Sequence, residues 1–297
     1  MSIQVIISKC KGCGLCVKVC PFSAITMENK LAIIDKDKCT LCGACVEKCN
    51  FAAIEIERKD TGKTEDFNTY RGIGVIVEVI NEKLNSASLE MLGAAVCLNE
   101  KLKDKVIAFV AGKNCKQFVN TLFEYGADKV VLYENDGLQY LNDEIFSEIY
   151  QLMIKNHKPE IVLTAATAYG RAVAPRVAVM LRTGLTADCT ELEIDIEKRE
   201  LKQTRPAFGG NIMATIVCPN HRPQMATVRA KVMKKIEPRS GIQGELIIEN
   251  YNFSDFQSGM KVLRSEYDTS SKVNITEADI IVAGGRGMNS PDSFKML

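Results

Sequence analysis

The sequence lacks an excess of either charge: 38 Lys and Arg stand against 37 Asp and Glu in 297 residues, a net charge of +1. A nucleic-acid or anionic-membrane partner normally leaves a basic excess or a basic block, so neither is expected here. The sequence also lacks any apolar run approaching the roughly 18 residues that a spanning helix needs, and its opening, MSIQVIISKC, has no charged-then-apolar leader. Neither membrane insertion nor export is expected, which places the protein in the cytoplasm. What the chain does have is length and apolar content: with 46% hydrophobic residues over 297 positions it can bury substantial cores. That length favours two or three domains over one.

Cysteine is abundant. Eight of the twelve fall within the first 49 residues at short, regular spacing, while Cys97, Cys115, Cys189 and Cys218 are scattered over the rest. In a chain that is not exported, such clustering argues for metal ligation rather than a disulfide framework. The four scattered cysteines show no ligand spacing and read as small buried hydrophobes or turn residues.

An offset of 29 residues superposes one half of the N-terminal region on the other: Cys10, Cys13, Cys16 and Cys20 fall on Cys39, Cys42, Cys45 and Cys49, and Phe22, Ala24 and Ile25 on Phe51, Ala53 and Ile54. Each half reads C-x2-C-x2-C-x3-C, an iron-sulfur run in which the fourth cysteine ligates the cluster of the other half. By that rule Cys10, Cys13, Cys16 and Cys49 hold one 4Fe-4S cluster, and Cys39, Cys42, Cys45 and Cys20 hold a second. Gly12, Gly14 and Gly43 permit a tight backbone wrap whose N–H groups can donate to sulfur. Pro21 follows the first run, and Asn50 replaces proline after the second. Zinc is one competing reading, but it usually takes paired C-x2-C units rather than triplets each trailed by a fourth cysteine. Crossed ligation brings two clusters close together, which suits an electron relay better than a purely structural role. Residues 1–62 therefore read as a small α+β domain that resembles the bacterial two-cluster ferredoxins.

Residues 58–72, RKDTGKTEDFNTYRG, are polar and read as a linker. From Gly74 short apolar runs alternate with longer amphipathic stretches, from GVIVEVI to YGRAVAPRVAVMLRTG, giving strand and helix four times over. Near-continuous apolar strands of this kind form a parallel sheet covered by helices on both faces, with ligands at the carboxyl ends of the strands. The segment AATAYGR, ending in Arg171, sits at such an end and runs into a helix N-terminus, which suits an anion or an electron-rich ring. The plainer alternative is that Arg171 pairs with a surface carboxylate.

From Asp188 onward the period changes, and CTELEIDIE, ELKQTRPAF, NIMATIVC, QMATVRAKVMKK and ELIIENYNF read as strands of a β-rich extension of the same domain. Arg205-Pro206, Gly209-Gly210-Asn211 and Arg222-Pro223-Gln224 read as turns carrying polar donors. Cys218 and His221 read as ordinary loop residues, since no second half of a metal site is visible nearby. In ADIIVAGGRGMNSPDSFKML, Ala278 to Ala283 reads as a buried strand, Gly284-Gly285-Arg286-Gly287 as the turn after it, and Ser290 with Pro291 as an N-cap and first helical position. The sequence stops barely one helical turn later, so this unit is expected to be truncated.

Taken together, TAYGRAVAPRVAVMLRTGLTADCTELEID, QTRPAFGGNIMATIVCP and RPQMATVR, followed by ADIIVAGGRGM, resemble the alpha subunit of electron transfer flavoproteins over roughly residues 73 to 297. The resemblance implies an α/β domain I, residues 73–262, that packs on a beta subunit, and a Rossmann-like, FAD-binding domain II whose incomplete start is residues 270–297. It gives Arg286 a contact to the FAD of domain II, within the Gly284, Gly285 and Gly287 turn. It also makes Arg171 the candidate for reaching a second FAD, held by the beta subunit. A ferredoxin domain in front resembles the alpha subunits of bifurcating dehydrogenase complexes of anaerobes. The implied reaction splits an electron pair: NADH reduces the flavin of the beta subunit, one electron goes through the FAD of domain II to a flavin dehydrogenase, and the other goes to ferredoxin. The hard chemistry belongs to the cofactors, so no acid, base or nucleophile is expected in this chain. Two rivals stand beside this reading. One is a non-bifurcating electron transfer flavoprotein subunit fed by ferredoxin; the other is a nucleotide-binding interaction module with clusters as structural supports.

Overall fold

A computed structural model describes every residue except 1, 37, 40–42, 58–65, 208–209, 257, 267–277, 279 and 297. It divides into two compact units, Met1–Asp66 and Phe67–Leu297.

In the first unit β1 (Ser2–Val5), α1 (Leu15–Val19), β2 (Ile25–Glu28), β3 (Leu31–Ile34), α2 (Ala44–Lys48) and β4 (Ile54–Glu57) follow in order. Strand β1 pairs antiparallel with β4, and β2 pairs antiparallel with β3. Asn29 and Lys30, at φ 50° and 63°, form the two-residue turn between β2 and β3, a conformation that matches the strand twist. Each short helix begins after a glycine in the left-handed region, Gly14 at φ 69° and Gly43 at φ 85°, where a side chain would be strained. The repeat seen in the sequence is thus a repeat of helix starts. Ile3, Ile25, Ala32 and Ile54 bury the small core together with Cys16 and Cys45.

The second unit begins with β5 (Ile73–Val77), β6 (Val79–Ile80), β7 (Lys83–Leu84), α3 (Ser86–Leu102), β8 (Val106–Gly112), α4 (Val119–Glu124) and β9 (Lys129–Glu134). It continues with α5 (Asp143–His157), β10 (Ile161–Ala165), α6 (Ala168–Leu181), β11 (Leu185–Cys189), β12 (Glu191–Asp195), β13 (Glu200–Ala207), β14 (Ile212–Ile216), β15 (Gln224–Val228) and β16 (Glu245–Ile248). Seven strands form one sheet in the order β11-β15-β10-β5-β8-β9-β16, and every neighbouring pair is parallel. Alternation of side chains sends Val106, Ala108 and Val110 to the core beneath α3 and α4, and Ile107, Phe109 and Ala111 to the core beneath α5 and α6. Both faces are covered, as a parallel sheet requires. Asn85, Asn142 and Thr167 cap α3, α5 and α6 by accepting from backbone N–H groups of the first turn. Among the described residues, no helix is long and apolar enough to cross a membrane.

The expected β-rich extension is smaller than the sequence suggested. Within it β12, β13 and β14 form an antiparallel sheet of their own. QMATV and ELII instead join the parallel sheet, β15 between β10 and β11 and β16 at the edge beside β9. All five residues of β15 are buried, which is the condition of a central parallel strand. Arg205 and Pro206 lie in β13 rather than in a turn. Proline is tolerated there because the pairing with β12 ends at Thr204, so its missing N–H faces no strand on that side. Gly209 lies outside the described residues.

The expected strand Ala278 to Ala283 is also corrected. Residues 280–285 carry no strand, and Ile280, Ile281 and Val282 are 86%, 59% and 61% exposed. An apolar run becomes a strand only where a neighbour pairs its N–H and C=O groups, and among the described residues none lies alongside. Arg286–Met288 is a single 3-10 turn and Pro291–Met296 a 3-10 helix of two turns, with Ser290 Oγ 3.2 Å from Ser293 Oγ.

Candidate functional site

In the first unit the folding of two equivalent loops gathers sulfur. Cys10, Cys13 and Cys16 line a cavity together with Cys49, the last cysteine of the second repeat. Leu15, Met27, Ala32, Phe51, Ala53 and Ile54 complete its apolar wall. Cys39 and Cys45 line a second cavity together with Cys20, the last cysteine of the first repeat, and with Ile3, Phe22 and Ile25. Cys42 lies outside the described residues.

Gly12 makes the first loop possible. It sits at φ 66°, and a Cβ there would stand 2.4 Å from the carbonyl oxygen of Lys30. At the trailing cysteines a backbone amide meets sulfur: Ala24 N–H donates to Cys20 Sγ and Ala53 N–H to Cys49 Sγ, both at 3.3 Å. Burial pushes the Cys16 thiol up from its ordinary value, so a ligand that binds its thiolate must displace a proton. Among the described residues, no three His, Cys, Asp or Glu side chains converge on one metal ion. The thiols surround a space instead. A polynuclear iron-sulfur cluster, which takes one thiolate at each corner, fits such a donor set better than a single ion does.

In the second unit the candidate site lies at the carboxyl ends of the parallel strands. From β5 the chain moves to β8 on one side, while β10 lies on the other, so the crevice between the ends of β5 and β10 is the topological switch point. Glu78, directly after β5, is 8% exposed and accepts from Thr167 Oγ1 at 2.5 Å. Thr167 Oγ1 in turn accepts from Gly170 N–H. Helix α6 presses close to the strand it follows: a Cβ at Gly170 would meet the carbonyl oxygen of Ala165 at 1.9 Å.

Arg171 stands in the first turn of α6. Its Nε donates to Asp188 Oδ1 at 3.2 Å and its Nη2 to Asp188 Oδ2 at 3.1 Å, while the side chain stays 57% exposed. A carboxylate therefore does face Arg171, and Nη1 takes no part in the fork. Gly284, Gly285, Arg286 and Gly287 lie elsewhere in this unit, on its surface, where a shallow pocket is lined by Gly285, Arg286, Met288, Asn289, Ser290, Pro291 and Phe294. Cys218 is a loop residue: its Sγ lies 3.9 Å from His221 O, and no metal group forms around the pair among the described residues.

Sequence reasoning missed Glu78 and Asp188. Glu78 lies in a segment that reads as a plain strand, and Asp188 lies where the period changes, just before the first strand read there. The one available signal was chemical, since aspartate enters the left-handed region more readily than most residues and can mark a break in a strand.

The model of the 4Fe-4S dicluster domain matches residues 3–50, and that of the electron transfer flavoprotein domain matches residues 73–251, more than half of the chain. The chain belongs to the electron transfer flavoprotein family. Within it the chain is of the alpha-subunit type: it is 43% identical over 230 residues to the electron transfer flavoprotein subunit alpha of Megasphaera elsdenii, covering 77% of this chain and 68% of that one. It is 34% identical over 248 residues to the acryloyl-CoA reductase electron transfer subunit beta of Anaerotignum propionicum, covering 75% and 68%. To the lactate dehydrogenase (NAD(+),ferredoxin) subunit LctC of Acetobacterium woodii it is 36% identical over 280 residues, covering 94% and 66%. That 94% exceeds what the second unit holds, so this likeness runs on into the cysteine-rich unit. The 4Fe-4S dicluster domain and the electron transfer flavoprotein domain thus stand together in this chain.

Proposed function

We propose that this alpha-type subunit relays electrons within a flavin-based electron-bifurcating complex, linking NADH-reduced FAD, ferredoxin and a partner dehydrogenase. One observation carries the reading: the two sulfur-lined cavities belong to the same chain as the flavoprotein domain, and the relative named for NAD(+) and ferredoxin resembles both units together. The partners that follow are an electron transfer flavoprotein beta subunit, a flavin dehydrogenase and ferredoxin.

In this reading Cys10, Cys13, Cys16 and Cys49 hold one 4Fe-4S cluster, and Cys20, Cys39, Cys42 and Cys45 hold the other. When bound, flavin supplies the exchange between two-electron and one-electron chemistry, and the clusters supply single-electron storage. The chain supplies place and environment. The Ala24 and Ala53 amides donate to ligand sulfur and stabilise added negative charge. Leu15, Phe51 and Ile54 on one side and Ile3, Phe22 and Ile25 on the other line the sulfur with apolar side chains. Arg171 offers a cation toward the flavin of the beta subunit, and the Gly284, Gly285, Arg286 and Gly287 turn leaves room for the FAD of a second domain beginning near residue 270.

The test is to purify the complex with its co-eluting subunits and follow reduction of ferredoxin by NADH. Ferredoxin reduction that requires simultaneous turnover of the partner dehydrogenase supports the proposal. Ferredoxin that only delivers electrons, with no such coupling, establishes the non-bifurcating reading instead.

A further inference from the structure

Arg171 occupies a place where a cation is disfavoured. The first turn of α6 carries the positive end of the helix dipole and no acidic residue of its own. Left alone, a long side chain that is 57% exposed would sample many rotamers. Asp188 changes both conditions, because its carboxylate accepts from Nε and Nη2 and leaves Nη1 on the outer edge of the guanidinium.

Asp188 is itself held with care. In β11 Thr186 lies opposite Ala226 and Cys189 opposite Val228, so one extra residue is inserted where Asp188 stands. Such a bulge re-aims a side chain out of the strand's alternation. Asp188 adopts φ 58°, and its N–H donates at 2.9 Å to Oγ1 of Thr227, which is 1% exposed. Only surroundings that over-determine it keep a non-glycine residue in that region, and such residues cluster at sites of function.

We propose that Asp188 is a positioning residue for the flavin site: it acts through Arg171, holding the guanidinium so that its Nη1 edge, which meets no partner among the described residues, is presented at the carboxyl end of the sheet. The inference rests on the reading that Arg171 faces the flavin of the beta subunit. It goes beyond that reading by assigning the orientation of Arg171, and its effect on the flavin, to the bulge in β11.

The test uses the co-purified complex loaded with FAD, with the flavin midpoint potentials read by spectroelectrochemical titration. D188N suits it, because asparagine enters the left-handed region as readily as aspartate and preserves the backbone. R171Q removes a positive charge near the electron-rich reduced ring and should lower one flavin potential. D188N should lower the same potential by a smaller shift, and D188N placed on R171Q should add nothing. An upward shift in D188N would show Asp188 to be merely a neutralising charge, and no shift or an additive shift would show that it does not act through Arg171; each of these overturns the inference while leaving the Arg171 reading intact. No shift in R171Q overturns the Arg171 reading itself, and the inference with it.

Discussion

The backbone N–H of Ala53 donates to Cys49 Sγ at 3.3 Å, and the same bond at the same distance joins Ala24 to Cys20 one repeat earlier. In each repeat the trailing cysteine is held by its own backbone and lines the cavity of the other repeat: Cys49 with Cys10, Cys13 and Cys16, and Cys20 with Cys39 and Cys45. Cys49→Ala is expected to damage the cluster of Cys10, Cys13 and Cys16, and Cys20→Ala that of Cys39, Cys42 and Cys45. Intact protein should carry about eight iron and eight sulfide per chain. Iron assay with electron paramagnetic resonance of each variant decides the matter, because loss of the signal belonging to the variant's own repeat would show ligation to be local.

A second expectation concerns the cysteines outside that unit. Burial above all pushes the Cys115 thiol up to about 12 and the Cys189 thiol up to about 11. Near pH 8 both should resist alkylation in the folded protein while the exposed Cys97 reacts. The raised values also set the direction of pH dependence. An unfolded cysteine titrates at roughly 8.5, so above that value the unfolded state binds fewer protons than the folded one and stability falls. The contribution of Cys115 should be fully present below about pH 8.5 and disappear as pH rises toward about 12. Denaturant midpoints at pH 8 and pH 10.5, compared with those of Cys115→Ala, measure it; a fall just as steep in the variant would assign the effect to other groups.

The third expectation is structural. Glu160 is 2% exposed and accepts from Arg199 Nε at 3.0 Å and Nη2 at 2.6 Å, with Arg222, 6% exposed, 3.7 Å away. Arg199 also donates to Asp104, so one carboxylate ties the turn before β13 to the start of β10. Glu160→Gln removes the carboxylate nearest the buried Arg222, while Arg199 keeps Asp104, and should cost about 1.5–3 kcal/mol. Urea titration should show the loss with iron content unchanged. A cost under about 1 kcal/mol would mean that water enters and solvates the arginines.

The alternation of strand and helix from Gly74 to Leu181 was legible because each strand is a short apolar run and each helix a longer amphipathic one. The cysteine repeat was legible because ligand spacing is a local property. What escaped was non-local. Strand β15 carries Gln224 and Thr227 in a five-residue run, and nothing in that run says it inserts between β10 and β11, out of chain order. The aim of Arg171 depends on Asp188, 17 residues later, and on a bulge that depends in turn on Thr227. For residues 280–283 apolar composition was read as burial, although a strand needs a neighbour as well as a pattern.

The last expectation separates the two parts of the C-terminal unit. Val75 lies in β5, is 0% exposed and packs in the core beneath α3, whereas Ile281 is 59% exposed and pairs with no strand. If the segment from about residue 278 belongs to the opening of a second, flavin-carrying domain, its apolar side chains contribute nothing to the core of the first. Ile281→Asp should then leave the unfolding transition within about 0.5 kcal/mol of the parent, the range of an ordinary surface change. Val75→Asp places an unpaired carboxylate in that core and should prevent folding of the unit. Thermal unfolding and circular dichroism of the two variants distinguish the cases. Comparable destabilisation by both would place Ile280, Ile281 and Val282 in the first core, and would leave Arg286 a structural residue with no claim on FAD.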